Sequence, residues 1–161
     1  MRMLMAICAA SALLATFAAA QPAPVVVTPL TDTDIQLLRS DVQSAKNQII
    51  ADTMQFNNSE STVFWPVYRN YAHDLQEIGD DRVQLIKDYV KNYDNMDDAK
   101  AKALVQRMID VEDRTLTLRK DYWPKFIKAL GPKRAAKFYQ VDSRISLMID
   151  VQLTAAIPLI P

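Results

Sequence analysis

The chain has 161 residues, with 19 basic and 19 acidic side chains, one histidine and one cysteine. Such a balance of charge argues against nucleic acid as a partner, because nucleic-acid-binding domains carry a basic surface. The length is sufficient for one domain with a hydrophobic core.

The first twenty residues have the pattern of a secretory signal peptide. Arg2 precedes an apolar run that ends in Ala18-Ala19-Ala20, a small-residue cleavage site. We expect export, cleavage after Ala20 and no stable membrane insertion afterwards. The alternative interpretation is an uncleaved membrane anchor. Cleavage would also remove the only cysteine, Cys8, so that packing alone would hold the mature protein.

The rest of the chain predicts one helical domain. Residues 21–32 form a proline-punctuated linker that we expect to be extended, residues 33–157 the domain, and residues 158–161 a tail. No segment has the alternating period of a β-strand, so the predicted fold class is all-α.

The first predicted helix runs from about Thr33 to Met54 and has an apolar stripe at alternating steps of three and four residues. The stripe consists of Ile35, Leu38, Val42, Ala45 and Ile49. The second helix begins at the sequence NNSE, where Asn57 and Glu60 are spaced as a capping box. Its stripe repeats every seven residues, which predicts a seam against another helix. The members are Phe64, Tyr68, Tyr71, Leu75, Ile78, Arg82, Leu85 and Tyr89.

The third helix is predicted to start with Asn95 as its cap and with Asp97 and Asp98 at the positive end of the helix dipole. Its apolar face is so wide that it should contact more than one neighbour. This face comprises Leu104, Val105, Met108, Ile109, Val111, Leu116, Leu118, Tyr122, Trp123, Phe126 and Ile127.

The fourth helix is predicted to follow Leu130-Gly131-Pro132, since glycine suits a helix end and proline a first helical position. Its stripe comprises Phe138, Val141, Ile145, Met148 and Gln152.

Two Trp-Pro steps interrupt the long helical patterns, in FWPVY (residues 64–68) and YWPKF (residues 122–126). A proline inside a helix costs about 3 kcal/mol and should bend it. Trp65 and Trp123 are each 29 residues from Asp94. A reversal there predicts a long antiparallel hairpin, with two shorter flanking helices, in which both steps lie at the same height and bend the hairpin.

The aromatic residues near these steps allow two interpretations. Aromatic side chains at helical spacing usually form core, whereas a concave, partly exposed cluster would bind apolar segments of other proteins. The candidate polypeptide-binding residues are Phe64, Trp65, Tyr68, Tyr71, Tyr122, Trp123 and Phe126.

The hairpin tip, residues 87–102, is expected to be a bare, solvated and mobile pair of helices, because the outer helices are too short to cover it. Tyr89, Tyr93 and Met96 are the candidate partner contacts there.

The segments MQFNNSESTVFWPVYRNY, LIKDYVKNYDNM, LGPKRAAKFYQVDSRI and LTAAIPLIP, from Met54 to Pro161, resemble a family of small exported helical proteins of Gram-negative bacteria. That family is largely uncharacterised. More distantly, the chain is similar to the Spy/CpxP group of periplasmic "LTxxQ" proteins. Leu130, Pro132, Ala136, Lys137 and Phe138 match one copy of their motif, with Gly131, Lys133 and Arg134 as departures. Phe56, Asn57 and Glu60 stand for Leu, Thr and Gln in the other copy.

The resemblance implies a periplasmic location and a curved helical hairpin, often a cradle-shaped homodimer. It also implies either an ATP-independent chaperone for unfolded or partner polypeptides or an adaptor in envelope stress. A sensor for one specific envelope protein and a metal-binding sensor stay open as alternatives.

Other chemistry finds little support in the sequence. His73 is the only histidine, and the carboxylates are spread over helix faces, which does not favour a transition-metal site. No glycine-rich phosphate loop, nucleophile–histidine spacing or cofactor fingerprint is present. We therefore predict neither an enzyme nor a cofactor.

Overall fold

A computed structural model describes residues 32–160, which form four helices and no strand. The helices are α1 (Asp32–Met54), α2 (Asn58–Asn92), α3 (Asp98–Leu130) and α4 (Pro132–Ala156). The predicted all-α class and the long hairpin of α2 and α3 are confirmed. The predicted signal peptide with its cleavage site, and the linker up to residue 31, lie outside the described residues.

The ends of the hairpin helices are fixed by short-range hydrogen bonds. Asn57 Oδ1 accepts from the Glu60 amide at 2.9 Å, and the Glu60 carboxylate accepts from the Asn57 amide at 3.1 Å, so the capping box is confirmed. The cap of α3 is Asp97 and not Asn95. Asp97 accepts from the Lys100 amide at 2.8 Å, while Asn95 belongs to a short 3-10 turn, Tyr93–Asn95.

The register of the hairpin differs from the prediction. Several side-chain pairs join α2 to α3, and three of them show the register along the hairpin: Asp88 with Arg107, Asp81 with Arg114, and Tyr71 with Tyr122. Each pair is centred near residue 97 and not near residue 94, because the turn continues through Asp97 before α3 begins. Trp123 is therefore level with Tyr71, about 9 Å along the hairpin from Trp65. The predicted equal height of the two Trp-Pro steps is wrong.

Both helices continue through their prolines. Pro66 lies inside α2 and Pro124 inside α3, and neither ends its helix. Each proline removes one main-chain hydrogen bond, so packing against the neighbouring helices must hold these turns together. The bends expected at these positions stay a prediction.

One end of the bundle, here called the base, joins the end of α1, the start of α2 and the α3–α4 connection. Arg134 links them: its Nη2 donates to the Met54 carbonyl and to Glu60 Oε2, each at 2.9 Å. α1 packs against α4, and it reaches α2 through Gln43, which donates to the Tyr68 hydroxyl at 3.3 Å. The backbone of α1 thus lies against α4, and its described contact with α2 is made by a side chain.

The buried face of α1 also differs from the predicted stripe. Val42, Ala45 and Ile49 are exposed, whereas Lys46, Ile50 and Met54 are buried. The helix is rotated by about one residue, because Lys46 points inward to an acidic partner on α4 described below. The part of the stripe at residues 35 and 38 lies where side chains are not described.

The opposite end, at the α2–α3 turn, is here called the tip, and it is not bare. The chain beyond α4 reaches it, where Tyr89 donates to the Pro158 carbonyl and Tyr93 to the Leu159 carbonyl. The prediction of a bare tip is wrong, because α4 and the segment after it extend this far. Most of residues 87–102 are exposed, as predicted, and their mobility stays a prediction. Among the described helices, none is both long and apolar enough to cross a membrane.

The two glycines of the chain offer a matched test of the fold. Gly131 has φ 74° and ψ 160°, a region that only glycine adopts readily, whereas Gly79 lies inside α2. A Cβ atom at either position would meet no atom within 4 Å, so only backbone preference decides the outcome. We expect Gly131→Ala to lower the free energy of unfolding by about 1–3 kcal/mol and Gly79→Ala to raise it by about 0.5–1 kcal/mol.

Urea unfolding followed by circular dichroism measures both glycine variants. Equal effects of the two substitutions would contradict the described α3–α4 connection.

Candidate functional site

A cluster of aromatic rings forms the core near the base. Phe64 is 0% exposed and lies 5.8 Å from Phe126 and 5.0 Å from Phe138, measured between ring centroids. Tyr71 lies 5.3 Å from Tyr122 in the same way. Edge-to-face and tilted packing at these distances stabilises the fold by about 0.5–1.5 kcal/mol per pair, in addition to the contribution of the buried apolar area.

This cluster corrects part of the predicted binding surface. Five of the seven candidate polypeptide-binding residues are buried: Phe64, Tyr68, Tyr71, Tyr122 and Phe126. A buried ring has no area to offer a second polypeptide, so the interpretation as ordinary core holds for these five. The two tryptophans are half-buried and lie apart: Trp65 packs on Phe56 and Trp123 on Tyr139.

A buried carboxylate sits beside the aromatic cluster. Asp142 of α4 is 2% exposed, and its Oδ2 accepts from the Tyr71 hydroxyl at 2.9 Å. Lys46 Nζ lies 2.8 Å from Oδ1 outside the angles of a hydrogen bond, so that contact is an ion pair. Removing one partner of a buried pair leaves an uncompensated charge. These contacts tie α1, α2 and α4 together at one height.

The surroundings of the buried tyrosines keep their hydroxyl groups protonated. Burial raises the pKa of Tyr68 to about 12. Burial, and then the negative charge of Asp142, raise the pKa of Tyr71 still further. Burial and a hydrogen bond to Asp74 raise the pKa of Tyr122 to about 12. Each tyrosine thus acts as a donor or a packing surface at neutral pH.

The tip half of α3 presents the largest departure from a covered bundle. No residue of α3 before Tyr122 is buried. Four apolar side chains of the predicted wide face are exposed, and together they are called the α3 face: Val105, Met108, Ile109 and Leu116. Met108 is 45% exposed and Ile109 52%. The wide face of α3 thus contacts two neighbours, α2 and α4, as predicted, but it meets α4 through Trp123 and Phe126 at the base, and the α3 face at its tip half stays uncovered.

The outer side of α4 exposes a further apolar group, formed by Leu147, Met148 and Val151. Arg82 of α2 donates to Asp150 at 2.6 Å, and the adjacent Asp81 accepts from Arg114 of α3. These two pairs place the α4 group and the α3 face at similar heights along the bundle. The predicted α4 stripe is wrong beyond Ile145, since Met148 and Gln152 are exposed.

The three candidate residues at the tip have different surroundings. Tyr89 is buried, while Tyr93 and Met96 are half-buried. The rings of Tyr89 and Tyr93 lie 5.6 Å apart, edge to face, and both hydroxyl groups are hydrogen-bonded to the chain's own C-terminal segment. Tyr89 and Tyr93 thus contact the chain's own C-terminal segment, and contact of the tip residues with a partner stays a prediction.

Three polar residues at the base were missed as structural determinants: Lys46, Arg134 and Asp142. A signal was present for Asp142, which follows Phe138 by four residues and so falls on the buried stripe of α4. Lys46 and Ile50 both lie off the predicted stripe of α1, so the sequence offers no matching signal for Lys46.

Neither a metal site nor a known relative assigns a function to the described part of the chain. Within residues 32–160, no group of three or more His, Cys, Asp or Glu side chains is placed to hold a metal ion. Comparison of the chain with protein families, curated proteins and solved structures finds no match. The chain is thus characterised by its four-helix all-α fold, and the resemblance to exported helical proteins stays a prediction.

The raised tyrosine pKa values predict a loss of stability in alkali. An unfolded tyrosine loses its proton near pH 10, whereas folded Tyr68 holds it to about pH 12, so the folded state binds more protons between these values. The free energy of unfolding should be unaffected by this group below pH 10 and fall above it, by about 1 kcal/mol for Tyr68 at pH 11.

Urea midpoints at pH 8, 10 and 11 measure this effect, and Tyr68→Phe serves as the control that lacks the titrating group. If the urea midpoint falls equally with pH in the variant and in the wild type, the raised pKa of Tyr68 is contradicted.

Proposed function

We propose that the protein is a periplasmic, chaperone-like helical protein that binds apolar segments of unfolded or partner polypeptides on the α3 face. The observation that carries this proposal is the uncovered tip half of α3. Exposed contiguous apolar surface marks interaction sites in soluble proteins. A role in envelope stress, as the family resemblance implies, is part of the same proposal.

The form of the α3 face suits a helical or extended apolar segment. Val105, Ile109 and Leu116 recur at helical spacing, so they form one stripe about 16 Å long. Met108 flanks the stripe with a flexible and polarisable side chain, which adapts to ligands of different shape. Glu112 lies in the same row and is exposed, which keeps the face solvated while it is free.

The rigidity of the base supports this assignment. The aromatic cluster holds α3 at its base half through Tyr122 and Phe126, so the position of its tip half does not depend on burial of the α3 face. A surface that the fold does not need is available for a second polypeptide at little cost to stability. This arrangement reverses the expectation from the sequence, which placed the binding surface at the Trp-Pro steps.

Suppression of aggregation tests the proposal. Insulin that aggregates after reduction of its disulfides is a suitable client, because residues 32–160 contain no cysteine for the reductant to affect. Equimolar protein should slow the rise of light scattering. Met108→Lys combined with Ile109→Lys should remove at least about half of this effect, since charges on the α3 face oppose the burial of apolar surface.

The matched control places the same two charges on exposed polar positions of the same helix. Gln106→Lys combined with Thr117→Lys should retain the activity of the wild type, and circular dichroism should show equal helicity in both variants. If the wild type does not delay scattering, the proposed function is rejected. If the α3-face variant performs like the wild type, the α3 face is rejected as its location.

A further inference from the structure

The tip holds an extended peptide segment through its backbone. Ile157 has φ −101° and ψ 121°, so the chain leaves α4 in an extended conformation. Tyr89 then donates to the Pro158 carbonyl at 2.8 Å and Tyr93 to the Leu159 carbonyl at 3.1 Å. Two adjacent carbonyls thus meet two neighbouring tyrosine hydroxyls, while the Leu159 side chain is 89% exposed.

This geometry defines the chemical class of the ligand. The bonds reach only main-chain carbonyls, and the exposed Leu159 shows that its side chain is not selected. Proline contributes differently: Pro158 has no N–H group and fixes an extended backbone, which lowers the entropy lost on binding. Aromatic residues that donate to carbonyls of proline-containing extended segments are a recurring mode of peptide recognition.

We propose that Tyr89 and Tyr93 form a binding site for an extended, proline-containing segment of another polypeptide, which residues 158–160 of this chain occupy in its absence. The C-terminal segment is thereby an internal competitor that closes the site. This site is separate from the α3 face, and either proposal can fail without the other.

The C-terminal segment is bound weakly enough to be exchanged for a free peptide segment. The last turns of α4 before it, residues 151–155, are exposed. The polar contacts of residues 158–160 are the two tyrosine bonds, and each neutral hydrogen bond contributes roughly a factor of five to an equilibrium constant. The tether gives the segment an effective concentration on the order of millimolar, so a free segment of equal intrinsic affinity must exceed that concentration to displace it.

Fluorescence anisotropy with a labelled peptide of sequence LTAAIPLIP, residues 153–161, tests the site. The chain truncated after Ile157 should bind this peptide at least about 10-fold more tightly than the full chain, because its internal competitor is missing. In the truncated chain, Tyr89→Phe combined with Tyr93→Phe should weaken binding by about 10-fold or more. Equal affinity of the full and truncated chains, or no effect of the double variant, would overturn the proposal.

Two controls separate the site from general apolar binding. Tyr139→Phe removes the hydroxyl of an exposed residue far from the tip and should leave the affinity unchanged. A peptide with both prolines replaced by alanine should bind more weakly. If sedimentation instead shows a dimer that truncation converts to a monomer, a second copy's C-terminal segment occupies the site, and the proposal of a foreign segment is overturned.

A second measurement keeps the proposal testable if truncation unfolds the chain. A nitroxide label on Ile160→Cys, in the full chain with Cys8→Ser, reports the mobility of the C-terminal segment. Adding unlabelled LTAAIPLIP at several millimolar, or introducing the two phenylalanines, should at least double the mobile fraction of the spectrum. An unchanged spectrum in both cases would overturn the proposal.

Discussion

The buried carboxylate of Asp142 is the constraint on which the arrangement of the helices depends. A charge removed from water must be paired and hydrogen-bonded, and here Tyr71 of α2 and Lys46 of α1 supply the two partners. Both contacts are satisfied only at one rotation and one height of α4. The aromatic rings of α2, α3 and α4 then interlock beside this point, and the base of the bundle becomes its rigid half.

The same constraint explains where the molecule remains open. Burial is concentrated at the base, while α3 contributes no buried residue before Tyr122. α4 does continue toward the tip and ends there in an extended segment, but it leaves the α3 face uncovered. The two proposed binding surfaces, the α3 face and the tyrosine pair, therefore lie in the half of the bundle that the core does not organise.

The sequence predicted local features better than relative positions. The stripe of α2 and the capping box at Asn57 were correct, because both depend on residues a few positions apart. The α1 stripe was wrong from Val42 to Ile49, since the helix turns Lys46 inward toward Asp142, and apolar periodicity alone cannot indicate an ion pair with another helix. The hairpin register failed for a similar reason: the loop includes Asp97, so the centre of the turn lies about three residues later than assumed.

For the candidate sites as well, the sequence predicted which residues matter better than it predicted their contacts with other helices. Aromatic residues near the Trp-Pro steps were identified correctly as a cluster, but only the packing of three helices decides that five of them are core. The tyrosines at the tip were identified from their position, whereas their contact with residues 158 and 159 depends on how far α4 extends. The wide face of α3 was noted in the sequence, and the structure shows that its tip half remains exposed.

In this account the core at the base is covered, whereas the α3 face is exposed to solvent. Methionine oxidation tests this difference most directly. Met54 is 0% exposed, whereas Met108 of the α3 face is 45% exposed. In dilute peroxide, followed by peptide mapping, Met108 should be oxidised at least about 10-fold faster than Met54, since access controls the reaction. Protection of Met108 as strong as that of Met54 would contradict the account, because the α3 face would then be covered.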